Sequence, residues 1–173
     1  MKYFVLTLHP SYQAPTIKNW QGILDSRTLA KKKKPLIPKH TLFQTNPQLK
    51  AVFTDLIFHP CFMVTKQVMD VIKLYEPSLY FERLVLSEAQ TKKIHTYCIP
   101  ILEELSVLTS NSRVGRDRVT LEHIEIDYQK TKGKAIFQMK YQDKVYILAN
   151  LDLVESLLRR QITGIDLKEV DII

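Results

Sequence analysis

The feature that most constrains this chain is a pair of short apolar runs near its end, Ala135 to Tyr141 and Val145 to Ala149, separated only by Gln142-Asp143-Lys144. Strand-length runs joined by three polar residues predict a β-hairpin, which commits the chain to antiparallel sheet. A helix follows at once. In Asp152-Leu153-Val154-Glu155 an acid at a helix-start position is followed three residues later by a glutamate, the pattern of a capping box with Asp152 as N-cap and Glu155 reaching back. The helix is expected from Leu153 to about Ile162, with Arg159 and Arg160 near its negative end and Gly164 supplying the left-handed residue beyond it. Ile165 to Ile172 then returns as a last strand.

The rest of the chain repeats this mixture. Thr65 stands where its hydroxyl can accept from an unpaired N–H of a first turn, and Val68, Ile72 and Tyr75 share one face of a helix that Pro77 ends. Strands are expected from Tyr3 to Leu8, over Ala51 to Phe58, at Tyr80 to Leu86, Ile94 to Ile99 and Val119 to Asp127, with a short apolar run at Cys61 to Val64. Pro100 to Thr109 suits helix or strand equally. Residues 9 to 50 hold five prolines and little periodicity, so they read as loop-rich with one short helix near Trp20 to Leu29. The expectation is an α+β fold: one domain over 1–173, a mostly antiparallel sheet, two principal helices at about 65–75 and 153–162, a basic loop-rich N-terminal segment over 1–50 and a regular region over 51–173. At 173 residues such a chain buries roughly 70% of its unfolded surface and needs no disulfide or metal to fold.

Charge is unevenly placed. Of 25 Lys and Arg, nine lie in residues 1–50 against the single acid Asp25, whereas residues 51–173 hold sixteen against seventeen acids. The densest point is Lys31-Lys32-Lys33-Lys34 before Pro35, which makes these four lysines the candidate partner-binding residues. Four phosphate pairs there would weaken nucleic-acid binding roughly a hundredfold between low and physiological salt. No aromatic residue is interleaved with the lysines as a stacking platform requires, so nucleic acid is the second reading of this segment.

Chemistry-bearing residues offer little else. His59, Cys61, His95 and Cys98 have zinc-ligand chemistry, but on a strand over 94–99 a spacing of three puts His95 and Cys98 on opposite faces. Glu103-Glu104 and the alternating Glu122, Glu125 and Asp127 fit solvated faces better than acid/base work. Nucleotide, nucleophile-elbow and zinc-protease signatures are missing from the sequence. The expectation is no catalytic residue, no metal and no cofactor, with Cys61 and Cys98 as reduced, buried thiols. The first apolar stretch, cut at His9-Pro10, is too short for a signal peptide, and no run approaches the ~20 residues of a membrane span, so a cytoplasmic location is expected.

From about Phe58 onward the order of pieces resembles a family of bacterial polymorphic-toxin immunity proteins first catalogued as a domain of unknown function. The pieces are His59-Pro60-Cys61-Phe62-Met63-Val64-Thr65, then Val68 to Pro77 (Val-Met-Asp-Val-Ile-Lys-Leu-Tyr-Glu-Pro), then Ala135-Ile136-Phe137, then Asp152 to Arg160 with Thr163-Gly164-Ile165. The resemblance implies an α+β protein encoded beside a toxin and neutralising it by stoichiometric binding, without catalysis. It does not reach residues 1–50, and a basic chain is unlike the acidic surfaces that mimic nucleic acid against nuclease toxins.

Overall fold

The computed structural model describes residues 2–24, 41–48 and 50–173. Twelve strands and two helices follow one another among them. They are β1 (Tyr3–Thr7), β2 (Leu42–Gln44), β3 (Leu56–Ile57), β4 (Met63–Val64), α1 (Lys66–Tyr75), β5 (Phe81–Ser87), β6 (Ile94–Pro100), β7 (Arg113–Val114), β8 (Leu121–His123), β9 (Glu125–Ile126), β10 (Ile136–Tyr141), β11 (Lys144–Asn150), α2 (Leu151–Arg159) and β12 (Asp166–Ile172). The fold is α+β with antiparallel pairing dominant. One sheet runs β10-β11-β1-β12-β9, a second runs β2-β5-β6-β4-β3, and β7-β8 form a separate hairpin. Among the described strands only β12–β9 and β2–β5 pair in parallel.

Alternation along the strands explains the layering. In β1, Leu6 faces the helices while Tyr3 and Val5 face away, and in β11 Ile147 and Ala149 face the helices while Leu148 faces away. The second sheet does the same: Cys98 and Val64 meet the helices, Tyr97, Ile99 and Met63 the other side. The two helices are therefore shared between sheets. Val68, Val71 and Ile72 of α1 and Leu153, Val154 and Leu157 of α2 join one apolar cluster with residues of both. Outside this middle layer, Ile17 and Leu24 cover the second sheet, and Leu105, Val107, Leu121 and Ile124 cover the first.

Described residues within the first fifty contribute to both sheets. β1 is the middle strand of the first, paired to β11 and β12, and β2 extends the second. Several local expectations are corrected. Val119 to Asp127 is two short strands instead of one, broken between His123 and Glu125, and of Ala51 to Phe58 only Leu56–Ile57 is strand. Of Pro100 to Thr109, Pro100 ends β6 and the rest is neither helix nor strand; it lies along the first sheet through bridges from Glu104 to Gln138 and from Leu108 to Ile126. Trp20 to Leu24 makes a single turn, the N–H groups of Ile23 and Leu24 both reaching the Trp20 carbonyl, and the remainder of the expected helix to Leu29 lies outside the described residues.

Both helix starts differ from the sequence reading. α2 is capped by Asn150, whose side chain accepts from the Leu153 N–H at 3.0 Å; Asp152 sits inside the first turn, and Glu155 pairs forward with Arg159 at 3.3 Å. The capping side chain is the last residue of β11, so strand and cap share one residue. α2 ends at Arg159, with Gln161 left-handed at φ 54°, because Gly164 is needed elsewhere. At α1, Thr65 is the N-cap by position but donates its hydroxyl to Asp55 instead of capping.

That diversion builds a junction. Asp55 accepts the Thr65 hydroxyl at 2.9 Å on one oxygen, and the Thr163 N–H and hydroxyl at 2.8 and 2.7 Å on the other. Beside it Gly164 has φ +82°, and a Cβ there would stand 2.5 Å from Thr54. Tyr97 fixes the same corner by donating to the Thr54 carbonyl at 2.7 Å. Elsewhere the Tyr75 hydroxyl meets Ser156 at 2.5 Å between the two helices, and Glu76 accepts the Ala135 N–H at 2.7 Å beside the first sheet. Thr65, Tyr75, Glu76, Ala135, Ser156, Thr163 and Gly164 all belong to the pieces that carry the family resemblance. They hold the scaffold together.

Candidate interaction surface

The residues with catalytic or metal chemistry are dispersed. Cys98 lies in the helix-facing cluster and Cys61 in the cluster on the far side of the second sheet. His95, on the face opposite Cys98, stacks on Phe53 at 3.8 Å and contacts Glu88 at 2.8 Å, while His59 sits edge-on to Trp20 at 5.3 Å. Among the described residues no group of three or more His, Cys, Asp and Glu could hold a metal ion. Burial pushes the Cys61 thiol up to about 12 and raises Cys98 as well. A nucleophilic cysteine needs the opposite shift.

The carboxylates have structural partners too. Glu103 meets Lys132 at 2.7 Å, a hydrogen bond that holds its carboxyl below the usual range, and Lys134 at 3.8 Å. Glu125 accepts from Thr109 at 2.5 Å and Asn111 at 2.9 Å, and Asp127 caps the turn Tyr128–Thr131 by accepting from the Gln129 N–H at 3.0 Å. Glu104 is exposed beside β10, and Glu122 is exposed on β8. Lys31, Lys32, Lys33 and Lys34 fall within 25–40, outside the described residues.

Two features stand on either side of the β10–β11 turn. The first is a groove where the sheets part, a cavity of about 210 Å³ lined by Leu6, Phe58, Phe62, Leu102 and Val145 with Asp143 at the rim. It continues into a second hollow of about 250 Å³ that shares Leu6, Phe58 and Val145 and reaches Lys144. The second feature is the β7–β8 hairpin, which presents Arg113, Arg116 and Arg118, all exposed. The β10–β11 turn links the two: the Gln142 amide donates to the Arg118 carbonyl at 2.7 Å and Lys144 donates to the Thr120 hydroxyl at 2.6 Å.

These arginines were not among the candidates read from the sequence, because charge summed over 51–173 comes out near neutral. Pairing undoes that average. Several acids elsewhere are taken up by nearby cations, as in Lys2–Glu169, Lys66–Asp70, Lys132–Glu103, Lys134–Glu76 and Arg159–Glu155. The three guanidinium groups have no ion-pair partner among the described residues. Three arginines within six residues is the local signal that could have found them.

The α+β scaffold thus carries an apolar groove and an exposed basic hairpin, tied to each other through the β10–β11 turn. No protein-family model matches the chain, and no curated protein matches it. Among the described residues no helix is long and apolar enough to cross a membrane.

Proposed function

We propose that this chain is a non-catalytic, immunity-type protein of the cytoplasm that binds a cognate bacterial toxin and neutralises it in a 1:1 complex. The observation that carries the reading is the groove beside the arginine hairpin. A hollow lined by Leu6, Phe58, Phe62 and Val145 can seat one large apolar side chain of a partner, and a charged rim beside an apolar anchor is how protein interfaces combine affinity with specificity. The resemblance supports the same reading, since the residues that carry it are scaffold contacts and leave the surface free to match one partner. The buried, protonated thiols are consistent with a reducing cytoplasm and with a role that uses no nucleophile.

The test is co-purification with the toxin domain encoded beside the gene. A stable 1:1 complex by size-exclusion chromatography with light scattering, together with rescue of cells expressing the toxin, is the expected result. Absence of both would end the immunity reading. Filling the groove with Val145→Trp is expected to weaken the complex by about tenfold or more, because the partner's anchor loses its seat.

A further inference from the structure

Resting on the reading of a partner-binding protein, the geometry points to the chemistry of that partner: the hairpin carrying Arg113, Arg116 and Arg118 docks a carboxylate-rich protein surface, with Val114 and Val119 packing between the charged contacts. Two carboxylates, Asp117 and Glu122, belong to the same hairpin, and neither forms an ion pair with any of the three guanidinium groups. Asp117 is occupied by its own turn, accepting from the Val119 N–H at 2.9 Å, the Thr120 N–H at 2.8 Å and the Thr120 hydroxyl. The turn thus satisfies its acid locally and leaves its cations outward. Arginine matches carboxylates through two parallel N–H contacts, and its guanidinium, more weakly hydrated than a lysine ammonium, costs less to desolvate in such a contact.

Phosphate would also suit guanidinium groups, but the rest of the surface favours protein. Ser110 to His123 contains no Phe, Tyr or Trp on which a base could stack. It does expose Val114 at 40% and Val119 at 38%, and the β10–β11 turn ties it to the end of the molecule where the apolar groove opens. Aliphatic area among arginines is the composition of a protein interface and contributes nothing to a phosphate backbone.

The hairpin also offers a clean variant. Arg118 lies at φ 57°, a left-handed conformation that glycine adopts at no steric cost, so Arg118→Gly removes a charge without straining the fold. The experiment compares the full chain with the Arg113→Gln/Arg116→Gln/Arg118→Gly variant in two arms. Against the purified toxin, titration calorimetry is expected to show binding weakened by roughly a hundredfold, with an unchanged circular dichroism spectrum. Unchanged affinity overturns the inference while leaving the complex, and the immunity reading, standing. The second arm needs no toxin: a glutamate-rich peptide and an oligothymidylate of equal charge are titrated into both proteins, and into a Lys31→Gln/Lys32→Gln/Lys33→Gln/Lys34→Gln variant. Peptide binding that disappears with the arginines and survives loss of the lysines supports the inference even where no toxin complex forms. Tighter oligothymidylate binding that disappears with the arginines overturns it in favour of nucleic acid, and binding that follows the lysines alone overturns it too.

Discussion

The Asp55 junction and the Arg113–Arg118 hairpin are opposite ways of using polar residues. At the junction one carboxylate accepts three side-chain and backbone donors from two distant segments, so it joins β3, α1 and the α2–β12 connection. At the hairpin the one acid with partners satisfies only its own turn, and three cations are left for something else. The first arrangement converts polar groups into fold; the second leaves them facing solvent, where we propose they meet a partner. Residues shared with a family through its scaffold would be of the first kind, and residues that decide which partner is bound of the second.

The contrast predicts the largest loss of stability at Gly164. A methyl group there collides with Thr54 at 2.5 Å, and the backbone at φ +82° resists any side chain. Gly164→Ala is expected to cost about 3 kcal/mol by chemical denaturation, from clash and backbone strain together. A loss under about 0.5 kcal/mol, the range of ordinary surface substitutions, would show that the corner can relax and is no keystone. Asp55→Ala comes next, at about 2 kcal/mol, because Thr65 and Thr163 lose their shared acceptor at a half-buried site. Thr163→Ala combined with it should add little. Fully additive effects in that double-mutant cycle would mean the two residues do not act through each other.

How much of this was legible in the sequence follows the range of each interaction. The hairpin Ile136–Asn150, both helices and the strands β5, β6 and β12 were readable because alternation, helical spacing and turn residues act over a few positions. Asn150 was missed as the α2 cap since it ends the preceding strand and Asp152 carried the stronger local pattern. Thr65 and Gly164 were placed correctly but given local jobs, when each serves a contact with residues some ten or more than a hundred positions away. The arginine hairpin was passed over for another reason. Whether a charge is free depends on which acids the fold brings to which cations, and no average along the chain carries that.

On stability the hairpin should behave as the junction's reverse. Arg113→Gln and Arg116→Gln are each expected to shift unfolding by less than about 0.5 kcal/mol, since no ion pair is lost. Arg118→Gly should leave stability unchanged or raise it by up to about 1 kcal/mol, as relief of left-handed strain competes with a more flexible unfolded chain. A clear loss of stability in either test would mean that these side chains also hold the fold, and the contrast would blur.

The smallest effect belongs to Asp117, and it tests whether the hairpin's turn is self-contained. Hydrogen bonds from Thr120 and the Val119 N–H hold its carboxyl down at about 2. A carboxylate with a depressed folded value stabilises its turn above the ordinary Asp range, and that contribution fades as pH falls through the folded value. The amide signals of Val119 and Thr120 should therefore be constant from neutral pH to about 4 and titrate together with a midpoint near 2. Asp117→Asn should abolish that titration and leave the Asp55 junction unmoved. A midpoint near the ordinary Asp value would mean that the carboxylate is not committed to its own turn. It would then be free to neutralise a neighbouring arginine, and the outward charge of the hairpin would fall with it.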